Sequence, residues 1–200
     1  KYFDYQLKVL NVSSKHNNIL ISSPTGTGKT IAGFLPSIFD ITKNSYNAKL
    51  HTVYISPLKS LAKDIKRSIS IPINQMKMNI SLDIRTGDTS SYNKNKIKKK
   101  PPNFLITTPE SFALMMSYEN SESYFSDLRF LIIDELHNLI HTKRGDLLSL
   151  NMTRVSSFSP EIKKIGISAT IKNKKEALNY LSNNNSGIII ESNVKKDRKS

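Results

Sequence analysis

The sequence predicts an α/β domain whose core is a mostly parallel sheet of about seven strands, flanked by helices on both faces. Three observations predict it. Short apolar, β-branched runs alternate with helix-like stretches, which is the pattern of strand–helix–strand units. Several of those runs are apolar without interruption, as expected of strands covered on both faces. Residues able to do chemistry stand repeatedly just after the runs, where parallel sheets place their ligands.

The strands are read at Ile19-Leu20-Ile21, Thr52-Val53-Tyr54-Ile55, Ile80-Ser81-Leu82-Asp83-Ile84, Phe104-Leu105-Ile106-Thr107, Phe130-Leu131-Ile132-Ile133, Ile165-Gly166-Ile167 and Gly187-Ile188-Ile189-Ile190. Helices are expected at about 30–42, 58–70, 110–118, 144–156 and 174–182. Residues 90–103 are polar and basic and read as a short helix or loop that ends at Pro101-Pro102. The charged stretch Val194-Lys195-Lys196-Asp197-Arg198-Lys199-Ser200 reads as the start of a linker, so one domain is expected over 1–193 and linker over 194–200.

Composition narrows the class. The 200 residues, 38% of them apolar, suffice for one sizeable core. No apolar run approaches the roughly 20 residues of a membrane span, and Lys1-Tyr2-Phe3-Asp4-Tyr5 lacks a secretory pattern. A protein of the cytoplasm with no membrane partner is therefore expected. The chain has no cysteine, which excludes disulfides and thiolate metal sites. His16, His51 and His141 have no metal-ligand spacing.

The formal charge is +14, and it is lopsided: residues 1–100 hold 17 basic against 5 acidic residues, whereas 101–200 hold 13 against 11. Such an excess suits a polyanion such as DNA or RNA, and equally suits a solubilising Lys/Asn-rich surface.

Ser23-Pro24-Thr25-Gly26-Thr27-Gly28-Lys29-Thr30 follows a strand and opens a helix. Glycines at 26 and 28 let successive backbone N–H groups converge on phosphate oxygens, and the next helix offers its positive N-terminus. Lys29 then reaches the β- and γ-phosphates, while the Thr30 hydroxyl suits Mg²⁺, a hard cation that takes few protein ligands. Asp134 and Glu135 end an apolar strand, where an unpaired charge is costly and a divalent cation offsets it. Asp134 is assigned to hold Mg²⁺ through water, and Glu135 to orient and deprotonate the attacking water.

Gln6, the loop 23–30, Asp134-Glu135-Leu136-His137 and Ser168-Ala169-Thr170 together resemble, in order, the motifs of superfamily 2 DEAD/DEAH-like helicases. The stretches Tyr54-Ile55-Ser56-Pro57-Leu58-Lys59-Ser60-Leu61-Ala62, Arg85-Thr86-Gly87-Asp88-Thr89, Pro101 through Ser111 and Lys143-Arg144-Gly145-Asp146 resemble the large helicase-related (Lhr) family. Three positions depart from the usual pattern: Ser23 stands for the first loop Gly, Leu136 for Val or Ile, and Ser60 for Ala. None removes a reacting group.

The resemblance implies a RecA-like P-loop NTPase domain, the first of two, in an ATP-dependent helicase that couples Mg-ATP hydrolysis to strand translocation and unwinding. It implies that Gln6 reads adenine, that Thr25 to Thr30 bind nucleotide, and that Ser168, Ala169 and Thr170 couple hydrolysis to unwinding. Pro57, Leu58, Lys59, Arg85, Thr86, Gly87, Thr108, Pro109, Glu110 and Ser111 then line the strand-tracking face, gripping phosphates without reading bases. Pro57 and Pro109 are equally ordinary helix starters, and the Lys94–Lys100 run is either a solvated face or a binding stripe.

His137 reads as a contact to the nucleotide region, to a partner domain, or as a structural residue. Single- or double-stranded nucleic acid is the expected partner, DNA favoured over RNA, with the motor acting as a monomer. Arginines from a second RecA-like domain complete such sites, so these 200 residues alone are expected to bind nucleotide weakly and hydrolyse it slowly. Readings of another class are a nucleotide-gated nucleic-acid-binding module and a restriction or defence ATPase without helicase activity. An ordinary P-loop kinase fits poorly beside Asp134-Glu135.

Overall fold

A computed structural model describes residues 4–24, 26–44, 49–169, 171, 173–182 and 186–192. Thr25, Thr170 and the expected linker at 194–200 lie outside the described residues.

Seven strands form one sheet: β1 (Asn18–Ser22), β2 (Thr52–Ile55), β3 (Leu82–Arg85), β4 (Phe104–Thr107), β5 (Phe130–Ile133), β6 (Lys163–Ser168) and β7 (Ile188–Glu191). Their order is β3-β4-β2-β5-β6-β1-β7, and every pairing is parallel. All seven expected strands are present, with ends shifted by one or two residues at β1, β3, β6 and β7.

Among the described residues eight helices accompany them: α1 (Asp4–Ser13), α2 (Lys29–Asn44), α3 (Ala62–Gln75), α4 (Ser91–Lys99), α5 (Pro109–Met116), α6 (Ser121–Phe125), α7 (Lys143–Phe158) and α8 (Lys174–Ser182). Short 3-10 turns cover Lys59–Leu61 and Leu136–Asn138. The polar segment 90–103 resolves into α4, started by the Ser90 side chain accepting from Asn93 N and finished just before the two prolines. The expected helix at 58–70 is instead a 3-10 turn followed by α3.

Strand alternation splits the interior in two. Ile19, Ile21, Tyr54, Phe104, Ile106, Phe130 and Ile132 point to one face and pack with Tyr5 and Val9 of α1, Phe34 and Ile38 of α2, and Ile65 and Ile69 of α3. Leu20, Val53, Ile55, Leu105, Leu131 and Ile133 point to the other and pack with Phe112 of α5, Phe125 of α6, Leu148 and Met152 of α7, and Leu178 of α8. Continuous apolar runs are needed because both faces of each strand are covered. Each fully buried Ile, Leu or Phe contributes about 1.5–3 kcal/mol relative to leaving it in water.

Strand order divides the carboxyl edge. The ends of β1, β6 and β5 carry the phosphate loop, Ser168 and Asp134-Glu135; the ends of β2, β4 and β3 carry the segments starting at Ser56, Thr108 and Thr86. β2 and β5 are neighbours, so the two groups of loops meet there.

Candidate active site and nucleic-acid interface

The loop after β1 turns through Gly26 and Gly28, both at φ +78°, a left-handed backbone that costs a side chain strain. Ser23, in place of the usual first Gly, is completely buried: its backbone N–H donates to Ser168 O at 3.1 Å and its hydroxyl lies 2.6 Å from the Thr27 hydroxyl. Thr27 Oγ1 donates to Pro24 O at 2.8 Å, closing the loop on itself. The serine is thus a fixture of the loop.

α1 braces this loop from outside. Tyr5 OH donates to Thr27 O at 2.6 Å, and Gln6 Nε2 donates to Gly28 O at 3.2 Å. Gln6, expected to read a base, is buried against the loop's backbone. Tyr5 was not singled out from the sequence.

Lys29 opens α2 and is 7% exposed. Its Nζ has no hydrogen-bond partner among the described residues and stands 3.6 Å from Glu135 Oε1. A buried ammonium with unmet donors is costly unless an anion completes it, and the converging loop amides beside it favour phosphate oxygens. The donor set therefore fits a nucleoside polyphosphate.

Asp134 continues the β5 ladder, its N–H bonding to Ile55 O at 2.9 Å. Burial pushes its carboxyl above the usual aspartate range, opposed by hydrogen bonds from Tyr54 OH at 2.6 Å and from Glu135 N at 2.9 Å. The Tyr54 phenol, itself raised well above its ordinary value by burial and then by the Asp134 charge, also bonds Thr30. Asp134 and Thr30, the two proposed cation ligands, therefore share one tyrosine. Carboxylate, hydroxyl and water sites are the hard oxygen donors that suit Mg²⁺.

Glu135 adopts a left-handed backbone at φ 45°, ψ 44°, which swings its carboxylate out of the strand direction toward Lys29 and His137. His137 Nδ1 lies 3.1 Å from Ser168 Oγ and 3.4 Å from Glu135 Oε2. The histidine left open by the sequence thus bridges Glu135 to Ser168 at the end of β6. Ala169 follows at the half-buried end of that strand.

On the other half of the edge, Pro57, Leu58, Lys59, Gly87, Thr108, Glu110 and Ser111 line one groove, joined by Ser60 and Arg144. Arg144 was quoted only within a motif; it fastens the groove by donating to Glu110 Oε1 at 2.5 Å and to Pro57 O at 2.8 Å. Burial acts to raise the Glu110 carboxyl, but the Arg144 hydrogen bond and charge prevail and hold it below its usual value. Thr108 caps α5 by accepting from Ser111 N, and Pro109 occupies the first turn, whereas Pro57 precedes the 3-10 turn and starts no helix.

Arg85, expected on the strand-tracking face, is turned toward the interior. It is 3% exposed, its guanidinium bonds to Tyr118 OH and lies over the Tyr118 ring, and Thr107 Oγ1 bonds to its carbonyl. In this arrangement it supports the loop from beneath instead of facing the groove. Thr86 likewise lines a neighbouring groove with Lys63, Lys66 and Asn93. Lys59 is exposed and paired with Asp88 at 2.8 Å, a pair that solvent screens.

With the geometry in place, comparison with known proteins is direct. A model of the DEAD/DEAH box helicase family matches residues 3–178. The ATP-dependent helicase Lhr-Core of Sulfolobus acidocaldarius is 39% identical over 183 residues, covering 86% of this chain and 21% of that protein. The Lhr helicase/uracil glycosylase of Escherichia coli is 31% identical over 195 residues, covering 88% of this chain and 13% of that one. The structure of Mycobacterium smegmatis helicase Lhr bound to ssDNA and AMP-PNP matches with a TM-score of 0.84 at 31% identity, covering 94% of this chain and 25% of that one.

The DEAD-box helicase Mss116, at 21% identity and a TM-score of 0.81, shares the fold. The chain spans about a fifth of the length of the Lhr-Core relatives it matches. Family match and shared RecA-like architecture agree: the chain belongs to the DEAD/DEAH box helicase family and is similar in sequence to helicases of the Lhr type.

Proposed function

We propose that this chain is the first RecA-like domain of an ATP-dependent helicase, forming one wall of a Mg-ATP site and gripping a DNA strand in the groove beside it. The observation that carries the reading is the buried Lys29 ammonium, without a hydrogen-bond partner among the described residues and poised between the glycine turn and Glu135.

In this reading the amides of residues 26–30 and the Lys29 ammonium bind the phosphates and stabilise charge as the terminal phosphoryl group leaves. Thr30 and Asp134 would hold Mg²⁺, which would supply neutralisation of phosphate charge when bound. Glu135, 3.6 Å from the Lys29 ammonium, orients the attacking water and takes its proton. His137 carries the state of that carboxylate to Ser168. Gln6 ties nucleotide occupancy to the loop through Gly28. A second RecA-like domain supplies the missing arginines, and 194–200 begin the linker toward it.

DNA is preferred over RNA because the helicase Lhr of Mycobacterium smegmatis, 31% identical to this chain, is seen bound to ssDNA. The test is nucleotide binding and turnover with and without Mg²⁺, single-stranded DNA and RNA. Mg-dependent ATP binding that Lys29→Ala removes, and slow turnover by these residues alone, are expected. Absence of nucleotide binding, or brisk strand-stimulated turnover by the isolated domain, overturns the corresponding part.

A further inference from the structure

α4 lies outside the strand groove, yet its composition is unlike any other element. From Thr89 to Pro109 there is no acidic residue, while Lys94, Lys96, Lys98, Lys99 and Lys100 are all present. Among the described residues, Lys96, Lys99 and Lys100 form no salt bridge and are exposed. In the 3-10 turn and α3, Lys59 is paired with Asp88 and Lys66 with Asp83, while Lys63 and Arg67 form no salt bridge among the described residues.

The helix is held in a defined place. Ile97 is buried in the core beneath it, and Tyr124 OH donates to Ile97 O at 3.1 Å. Lys94 Nζ donates to Gly87 O at 2.9 Å, tying the helix to a loop that lines the strand groove. Lys98 lies over the Tyr118 ring that also holds Arg85. With Ile97 turned inward, helical spacing puts Tyr92, Lys96 and Lys99 in one outward stripe. Tyr92 is 79% exposed. A naked aromatic ring among unpaired lysines offers stacking to a base and charge to its phosphates.

We propose that α4 is a second nucleic-acid contact, binding the phosphate backbone of the segment that continues past the groove, with Tyr92 stacking on an unpaired base. The inference rests on the groove being the strand site. Its occupant is nucleic acid because the stripe joins a ring to the charges and is fastened to a groove loop.

The test uses the purified protein and fluorescein-labelled DNA of two lengths, one of about six nucleotides that fits the groove and one of about twenty that extends beyond it. Lys96→Gln/Lys99→Gln/Lys100→Gln keeps good helix formers and leaves Lys94 and Lys98 in place. It is expected to weaken the long oligonucleotide roughly tenfold and to flatten its log–log salt slope by about 2, leaving the short one unchanged. Tyr92→Ala is expected to weaken the long single strand about fivefold with the salt slope kept.

If the wild type binds both lengths and the triple variant binds the long one with unaltered affinity and slope, α4 is a solvated face and the proposal falls alone. If the wild type binds neither length, the strand-groove reading falls and takes the proposal with it. Vesicles containing phosphatidylserine that bind the wild type, lose the triple variant, and leave long-oligonucleotide affinity indifferent to the substitutions also overturn it.

Discussion

The Tyr54 hydroxyl donates a 2.6 Å hydrogen bond to Oδ2 of Asp134, across the ladder that pairs β2 with β5. The two residues are 80 positions apart in sequence. Two residues past Tyr54 begins the Ser56-Pro57 loop toward the strand groove, so the strand that carries this tyrosine leads into the other half of the carboxyl edge. Tyr54→Phe keeps the parallel ring stack on Phe34, 4.8 Å between centroids, and removes only the hydroxyl. The expected cost is about 0.5–1.5 kcal/mol of stability. ATP turnover should fall several-fold with a raised Mg²⁺ requirement; a Mg²⁺ titration that overlays on the wild type removes the role assigned here to the tyrosine.

Lys29 should trade stability for binding. Its ammonium is buried and lacks a hydrogen-bond partner among the described residues, so Lys29→Met should leave the melting temperature unchanged or raise it while abolishing nucleotide binding. Glu135→Gln should retain binding and lose turnover by roughly 10²-fold or more. Calorimetry and a phosphate-release assay separate the two; a Lys29→Met protein that melts much earlier shows that the ammonium is structurally satisfied without nucleotide.

Gly145 is required for closeness. A Cβ there would sit 2.7 Å from the Leu139 carbonyl carbon, and Gly145 N donates to the Thr142 hydroxyl that caps α7. Backbone cannot move aside as a side-chain tip can, so Gly145→Ala should cost about 1–3 kcal/mol. At this chain length that lowers the melting temperature by roughly 2–12 °C. An unshifted thermal scan contradicts it.

Arg144 clasps Glu110 and the Pro57 carbonyl at once. Lysine keeps the charge but not the planar fork, so Arg144→Lys should widen the groove and weaken strand affinity by about three- to tenfold, with nucleotide binding in the absence of strand unaltered. Equilibrium binding of a short single strand decides this, and equal affinity for both proteins rejects the clasp.

Acidification should destabilise the chain through His51. Burial at 2% exposure lowers its pKa below 6.5, against the opposing hydrogen bond to Asp40. The unfolded chain thus takes up a proton that the folded one resists, so the stability contributed is present above about 6.5 and lost as pH falls from there through the folded value. The melting temperature should drop more between pH 7.5 and 5.5 for the wild type than for His51→Gln; parallel pH profiles dismiss the effect.

Much of this was legible because periodicity and spacing are local. Seven strands, the glycine turn and the acidic pair announce themselves within a few residues each. What was not legible depends on partners far along the chain. Tyr54 looked like one more core residue of an apolar strand until Asp134 was beside it. Arg85 looked like a strand-end base, but Tyr118, 33 positions away, draws its guanidinium inward. α1 was missed because its apolar residues are not confined to one face: Tyr5 and Val9 are buried, whereas Leu7 is exposed. Ser23 could be read as a tolerated exchange, not as the hydroxyl that meets Thr27.

The uninterrupted ladder from β1 through β6, β5 and β2 to β4 has a mechanical meaning. Four inter-strand steps of about 4.8 Å set a span of roughly 19 Å between the phosphate loop and the Thr108 cap. Hydrolysis cannot stretch or shorten that span without breaking rows of backbone hydrogen bonds. The domain is therefore a ruler of fixed length, and any stride along a strand has to be measured by moving the whole ruler against another body.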